Sequence, residues 1–134
     1  LEDIARWAAG VGFKGLQIPA WDQRLFDVAT AASSQTYCDD VNGMLASHGL
    51  VASELTTHIF GQLVAVHPAY DAMCDSFAPE ALRGNPAART AWALEQLKLS
   101  ARASRRMGLS DMGTFSFQVS PSTLKCVPIT QPSA

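Results

Sequence analysis

Apolar and polar positions change their period along this chain in a repeating way. Three times an amphipathic stretch runs into a glycine, then a large apolar residue, then a short β-type run. The glycines are Gly12, Gly49 and Gly108, followed at once by Phe13, Leu50 and Leu109. The β-type runs are Gly15-Leu16-Gln17-Ile18, Ala52-Ser53-Glu54-Leu55-Thr56 and Met112-Gly113-Thr114-Phe115. Glycine accepts the left-handed conformation at a helix C-terminus, and the next apolar residue packs back on the last turn. The pattern predicts helices over roughly 2–9, 33–48 and 86–107, the last with Pro86 in its first turn.

Helices alternating with short strands predict an α/β fold with parallel strands, joined by right-handed crossovers. A doubly wound sheet and a barrel share this local signature, and three units do not separate them. The strand-to-helix segments 19–32 and 59–85 are long and the return turns are tight. Segments after strand C-terminal ends build the ligand site in such folds, so function is expected there. Beyond Ser116 the texture changes, with Pro121, Pro128 and Pro132 scattered among Ser, Thr and Gln. The expected division is therefore an α/β unit over 1–116 and an irregular tail over 117–134.

Composition narrows the partners. With 48% apolar and 16% charged residues the chain has material for a core, and no apolar stretch reaches the ~18 residues of a membrane helix. A formal net charge of −2 gives no general electrostatic footprint for nucleic acid. Cys38, Cys74 and Cys126 are odd in number and lack C-x-x-C spacing, which supports neither a disulfide framework nor a thiolate zinc site and favours a reducing cytoplasm. Leu1-Glu2-Asp3 is unlike a basic signal-peptide start, and the missing initiator Met predicts more chain upstream.

Candidate chemistry sits at the strands and in the long segments. Gln17 and Glu54 are polar residues inside parallel strands, so each must find a buried partner or face a polar site. For Glu54, a structural pair with an arginine and a catalytic carboxylate are both open. His58 falls at a strand end, where an imidazole either hydrogen-bonds a substrate or is a satisfied rim residue. Trp21-Asp22 combines an aromatic plate with a carboxylate, suited to a sugar face or to anchoring a loop. Gln62, His67 and Tyr70 belong to a lid or wall, or else pin that wall to the rim. Trp7 and Trp92 are expected in the core. His48 suits a helix C-terminus, and the run Arg102, Arg105, Arg106 reads as a solvated basic last turn in preference to a phosphate or nucleic-acid patch.

Gly10-Val11-Gly12-Phe13-Lys14-Gly15 fits G-x-G-x-x-G literally, but it follows a helix and precedes a strand. That is the reverse of a dinucleotide loop, so helix termination is the expected role. No H-x-x-x-H, G-x-S-x-G or P-loop pattern occurs.

The strings LEDIARWAAGVGFKGLQIPAWD, SQTYCDDVNGMLASHGL, ELTTHIFGQLVAVHPAYD and FAPEALRGNPAARTAWALEQLKLSARAS resemble the sugar phosphate isomerase/epimerase family of xylose isomerase-like TIM barrels, over residues 1–116. The resemblance implies a partial (β/α)8 barrel truncated at both ends, its three strands being the second to fourth of eight. It implies an enzyme that moves a proton between neighbouring carbons of a sugar or cyclitol with a divalent metal (Mn, Mg or Co). The implied metal ligands lie on later strands, so none is expected in this chain. What it would keep is one wall of the substrate cavity: His58, Gln17, Trp21, Asp22, Gln62 and His67 as binding residues, with Glu54 as a possible catalytic carboxylate. Such a piece is expected to be inactive alone and to need the missing strands or self-associate. The other readings are a non-catalytic interaction module or gene remnant, and an endonuclease IV-like DNA repair barrel, which should show a basic groove and several ligand histidines.

Overall fold

A computed structural model describes residues 1–115 of the protein, so the tail expected over 117–134 lies outside the described residues. The elements run α1 (Glu2–Val11), β1 (Gly15–Pro19), α2 (Val28–Ser33), α3 (Gln35–Ser47), β2 (Val51–Thr56), α4 (His58–Gln62), α5 (Asp71–Cys74), α6 (Pro86–Arg106) and β3 (Met112–Gly113). Three short 3-10 turns, Pro68–Tyr70, Asp75–Phe77 and Glu80–Leu82, flank α5. The protein is mixed α/β, and the three strands among the described residues form one parallel sheet in the order β1-β2-β3.

All three predicted helix stops close in the same way. Gly12, Gly49 and Gly108 have φ of 98°, 70° and 76°. The next residue's amide reaches back to the carbonyl five positions earlier: Phe13 to Ala8 at 3.0 Å, Leu50 to Leu45 at 3.0 Å and Leu109 to Ser104 at 2.9 Å. This satisfies carbonyls that a helix end otherwise leaves orphaned. Leu50 and Leu109 then join the core as expected. Phe13 does not; it stays 53% exposed, its ring centroid 6.3 Å from that of Trp7.

The sheet has two unlike faces. Leu16, Ile18, Ala52 and Leu55 enter the main core with Ala5, Ala8, Leu45, Ala103 and Met107 of the three long helices. The opposite face carries Gln17 and Ser53, both exposed, and Glu54. A register shift after Leu16 pairs Gln17 with Glu54 and leaves Ser53 as the extra residue of a bulge. Parallel sheets are ordinarily covered on both faces; among the described residues this one is covered on one. The long helices keep the order of the strands, with α3 touching both α1 and α6.

The segments expected as long connections hold structure of their own. Within 19–32, α2 is capped by Asp27, which accepts the Ala29 and Thr30 amides at 3.0 Å, and it packs along α6. Ser34, in extended backbone, closes α2 and caps α3, so the helix predicted over 33–48 loses Ser33 to its neighbour. Within 59–85, Leu63, Cys74 and Ala78 build a second small core with Ala93 of α6. Trp92 packs against both cores, as expected of a helical tryptophan. Cys38 and Cys74 lie in separate cores, where burial pushes both thiols above their ordinary pKa.

Trp7 is a correction: it is 64% exposed. Helix α1 buries Ala5 and Ala8. Its Glu2 carboxylate lies 4.0 Å from the His48 imidazole at the end of α3. Ile4, Trp7 and Val11 recur at helical spacing and form a flank that is 42%, 64% and 61% exposed. The outer edge of β1 has no strand partner among the described residues. No helix among the described residues is long and apolar enough to cross a membrane.

Candidate functional site

At the C-terminal ends of the strands the polar sheet face and the top loops meet. The register that sets Gln17 beside Glu54 lets the Gln17 amide nitrogen donate to the Glu54 carboxylate. Glu54 is half-buried and its carboxylate lies over Gly113 of β3, where an added Cβ would come within 3.1 Å of it. Its partner among the described residues is therefore an amide, and the arginine pair considered from sequence does not form there.

Thr57 ties this end of the sheet together: its amide and its hydroxyl both donate to the Gly113 carbonyl, at 2.7 and 3.0 Å. The next residue, His58, begins α4, and its ring stacks on Phe115 with centroids 3.8 Å apart and planes 9° from parallel. Trp21, from the loop after β1, stands 5.7 Å from the same imidazole. Behind them Gly61 fixes the approach of α4, since a Cβ there would run into the Phe115 carbonyl and the Thr114 hydroxyl. Gln17, Glu54, Trp21 and His58 thus gather around the exit of β3.

Asp22 faces another way. Arg24 grips its carboxylate through Nε at 2.9 Å and Nη2 at 2.7 Å, and that hydrogen bonding holds the carboxyl down at about 2. This pair stands at the mouth of a cleft of about 520 Å³, walled by Trp21, Phe60, Phe77 and Trp92. Phe60 and Trp92 meet edge to face at 5.4 Å, a favoured aromatic geometry. Trp21 belongs to both the cleft and the strand-end group.

Two expected members stand apart. Gln62 is the last residue of α4, and no hydrogen bond ties it to the strand-end group among the described residues. His67 caps its own turn, Nδ1 accepting the Ala69 amide at 3.2 Å while its ring meets Tyr70 edge-on.

The centre of the long top segment is a residue to which the sequence reading gave no role. Arg89 is wholly buried in the first turns of α6. It forms an ion pair with Asp71, donates to Asp75 Oδ1 at 2.6 Å and to the Asp71 carbonyl at 3.0 Å. The Gly84 amide, and beside it the Arg89 guanidinium, hold the Asp75 carboxyl below the usual carboxylate range. The signal was present as two aspartates four residues apart before a helix that buries an arginine in its first turns.

Among the described residues no group of three or more His, Cys, Asp and Glu side chains could hold a metal ion. No family model matches the chain, and no curated protein matches it.

Proposed function

We propose that the chain is an arc of a (β/α)8 barrel of the sugar phosphate isomerase/epimerase type, providing one wall of a cavity for a sugar or cyclitol. The observation that carries this is a sheet covered, among the described residues, on one face only. Its helix-free face is polar and ends in Gln17, Glu54, His58 and Trp21, grouped at the strand C-termini where barrel enzymes act. Sequential strand order, long helices in the same order and an unpaired β1 edge among the described residues suit an arc of a larger sheet.

On this reading Gln17 orients the Glu54 carboxylate, which accepts hydroxyl hydrogen bonds or a proton, while Trp21 offers a ring face to a pyranose or cyclitol and the His58 imidazole hydrogen-bonds a hydroxyl. The divalent cation implied by the resemblance is not matched by a ligand cluster among the described residues. On this reading turnover belongs to residues outside this wall. The chain alone is expected to bind weakly and not to isomerise.

Ligand-observed NMR with a panel of pentoses, hexose phosphates and inositols tests this. Saturable contacts to a polyol that Glu54→Ala or His58→Ala abolishes, with folding intact, support the wall. Equal contacts in wild type and both variants, or none with any polyol, sink it.

A second reading, a non-catalytic interaction module, is favoured by the uncovered Ile4, Trp7, Val11 flank. On that reading the flank binds a partner while the strand-end residues tolerate substitution.

A further inference from the structure

The far end of α6, which leads into the start of β3, carries a concavity with different chemistry. Arg102, Arg105 and Arg106 share one helical face at i, i+3 and i+4. With Gln35 at the start of α3 and Ala32 at the end of α2 they line a cavity of about 390 Å³. A helix C-terminus favours cations, which explains a basic turn but not a hollow one.

Arg6, Arg24 and Arg89 each hold carboxylates. Arg102, Arg105 and Arg106 have no carboxylate partner among the described residues, and no acidic side chain lines the cavity. Arg83 is likewise without an ion pair among the described residues, but it stands alone, whereas three unpaired arginines gather here. The walls are nevertheless fixed. Arg106 Nε donates to the Ala32 carbonyl at 3.0 Å, and the Gln35 amide bridges the Arg106 carbonyl and Asp39, both at 2.9 Å. Asp39 is thereby engaged by Gln35, and the Nη groups of Arg106 carry no bond among the described residues.

Three guanidinium groups crowded on one concave wall repel one another and concentrate positive potential, and their planar forks match phosphoryl oxygens two at a time. The volume lies within the range of small-ligand sites, roughly 300–1,000 Å³. We infer that this cleft binds a compact ligand carrying two or more phosphoryl groups, at the opposite end of the sheet from Glu54 and independently of the proposed polyol wall.

Calorimetric titration of the full chain with inorganic pyrophosphate, at ionic strength fixed by sodium chloride, tests the assignment. Saturable one-to-one binding is expected. Arg102→Gln with Arg105→Gln should weaken it roughly 100-fold, given two charge-assisted bonds lost. Both residues are exposed and neither holds the fold, so the thermal midpoint without ligand should not move. Arg102→Lys with Arg105→Lys, which keeps charge and loses the forks, should fall between. Non-saturable binding, or double-glutamine and wild-type affinities within twofold, overturns the inference.

Discussion

The three turns that lead from helix to strand are copies of one another, whereas the two segments that lead from strand to helix share almost nothing. Each return turn spends one left-handed glycine and one back-reaching amide, and ends. The first outward segment carries a capped helix lying along α6, and the second carries a small core and the two aspartates that hold the buried Arg89 of α6. Stopping a helix has one cheap local solution; shaping a surface around strand ends does not. The two ends of the sheet therefore answer to different forces, and substitutions should separate them.

The largest effect should come from the outward side. Arg89→Met leaves Asp71 and Asp75 without their buried partner and should destabilise by about 3–5 kcal/mol, as breaking a buried ion pair does. Hydrogen exchange should rise across 63–85 while the amides of Phe13 and Leu50 stay protected. Uniform loss of protection in both places would show that the two ends are not separable.

Gly61→Ala comes next, because the added methyl meets the backbone of Phe115 rather than a flexible tip. A loss of about 1–3 kcal/mol, typical of overpacking, is expected in chemical denaturation. The His58 ring should shift with it, visible as a changed imidazole NMR signal. On the return side, Gly49→Ala meets open space but keeps φ at 70°, so its cost should be only about 1–2 kcal/mol. A larger loss would mean that the turn does more than stop α3.

Acid should also act on the outward side first. The Asp75 carboxyl is held below its ordinary value of 3.8, so its contribution is complete above that pH and is lost as pH falls beneath it. Exchange at 63–85 should quicken below pH 4 ahead of global unfolding; simultaneous loss would contradict this. The smallest change is at the cleft mouth, where Asp22→Asn releases an exposed Arg24 and should leave the melting midpoint within about a degree, since such pairs contribute little.

What could be read from the chain alone follows the same division. Gly12, Gly49 and Gly108 were legible because their signal is contained in a few adjacent residues, and with them came three helices and three parallel strands. Helix α2 was not legible: the stretch Val28–Ser33 is rich in small residues, and its burial comes from contact with α6, more than fifty residues away. Trp7 was misjudged because side-chain type says nothing of which neighbours an element has. Gln17 and Glu54 were conspicuous as polar residues in strands. Their pairing depends on the bulge at Ser53, which no local pattern announces. Arg89 needed two partners brought from another segment, a three-body fact that a linear reading does not contain.

The sequential strand order also has a bearing on how the chain folds. Each unit touches chiefly the one made before it, so loop-closure entropy is met one helix at a time rather than all at once. The second strand has a template as soon as the first helix and strand are in place, and the third waits for α6 in the same manner. Growth of this kind suits vectorial synthesis: the emerging chain can settle each layer before the next is made, and each new strand finds the free edge of the one before it.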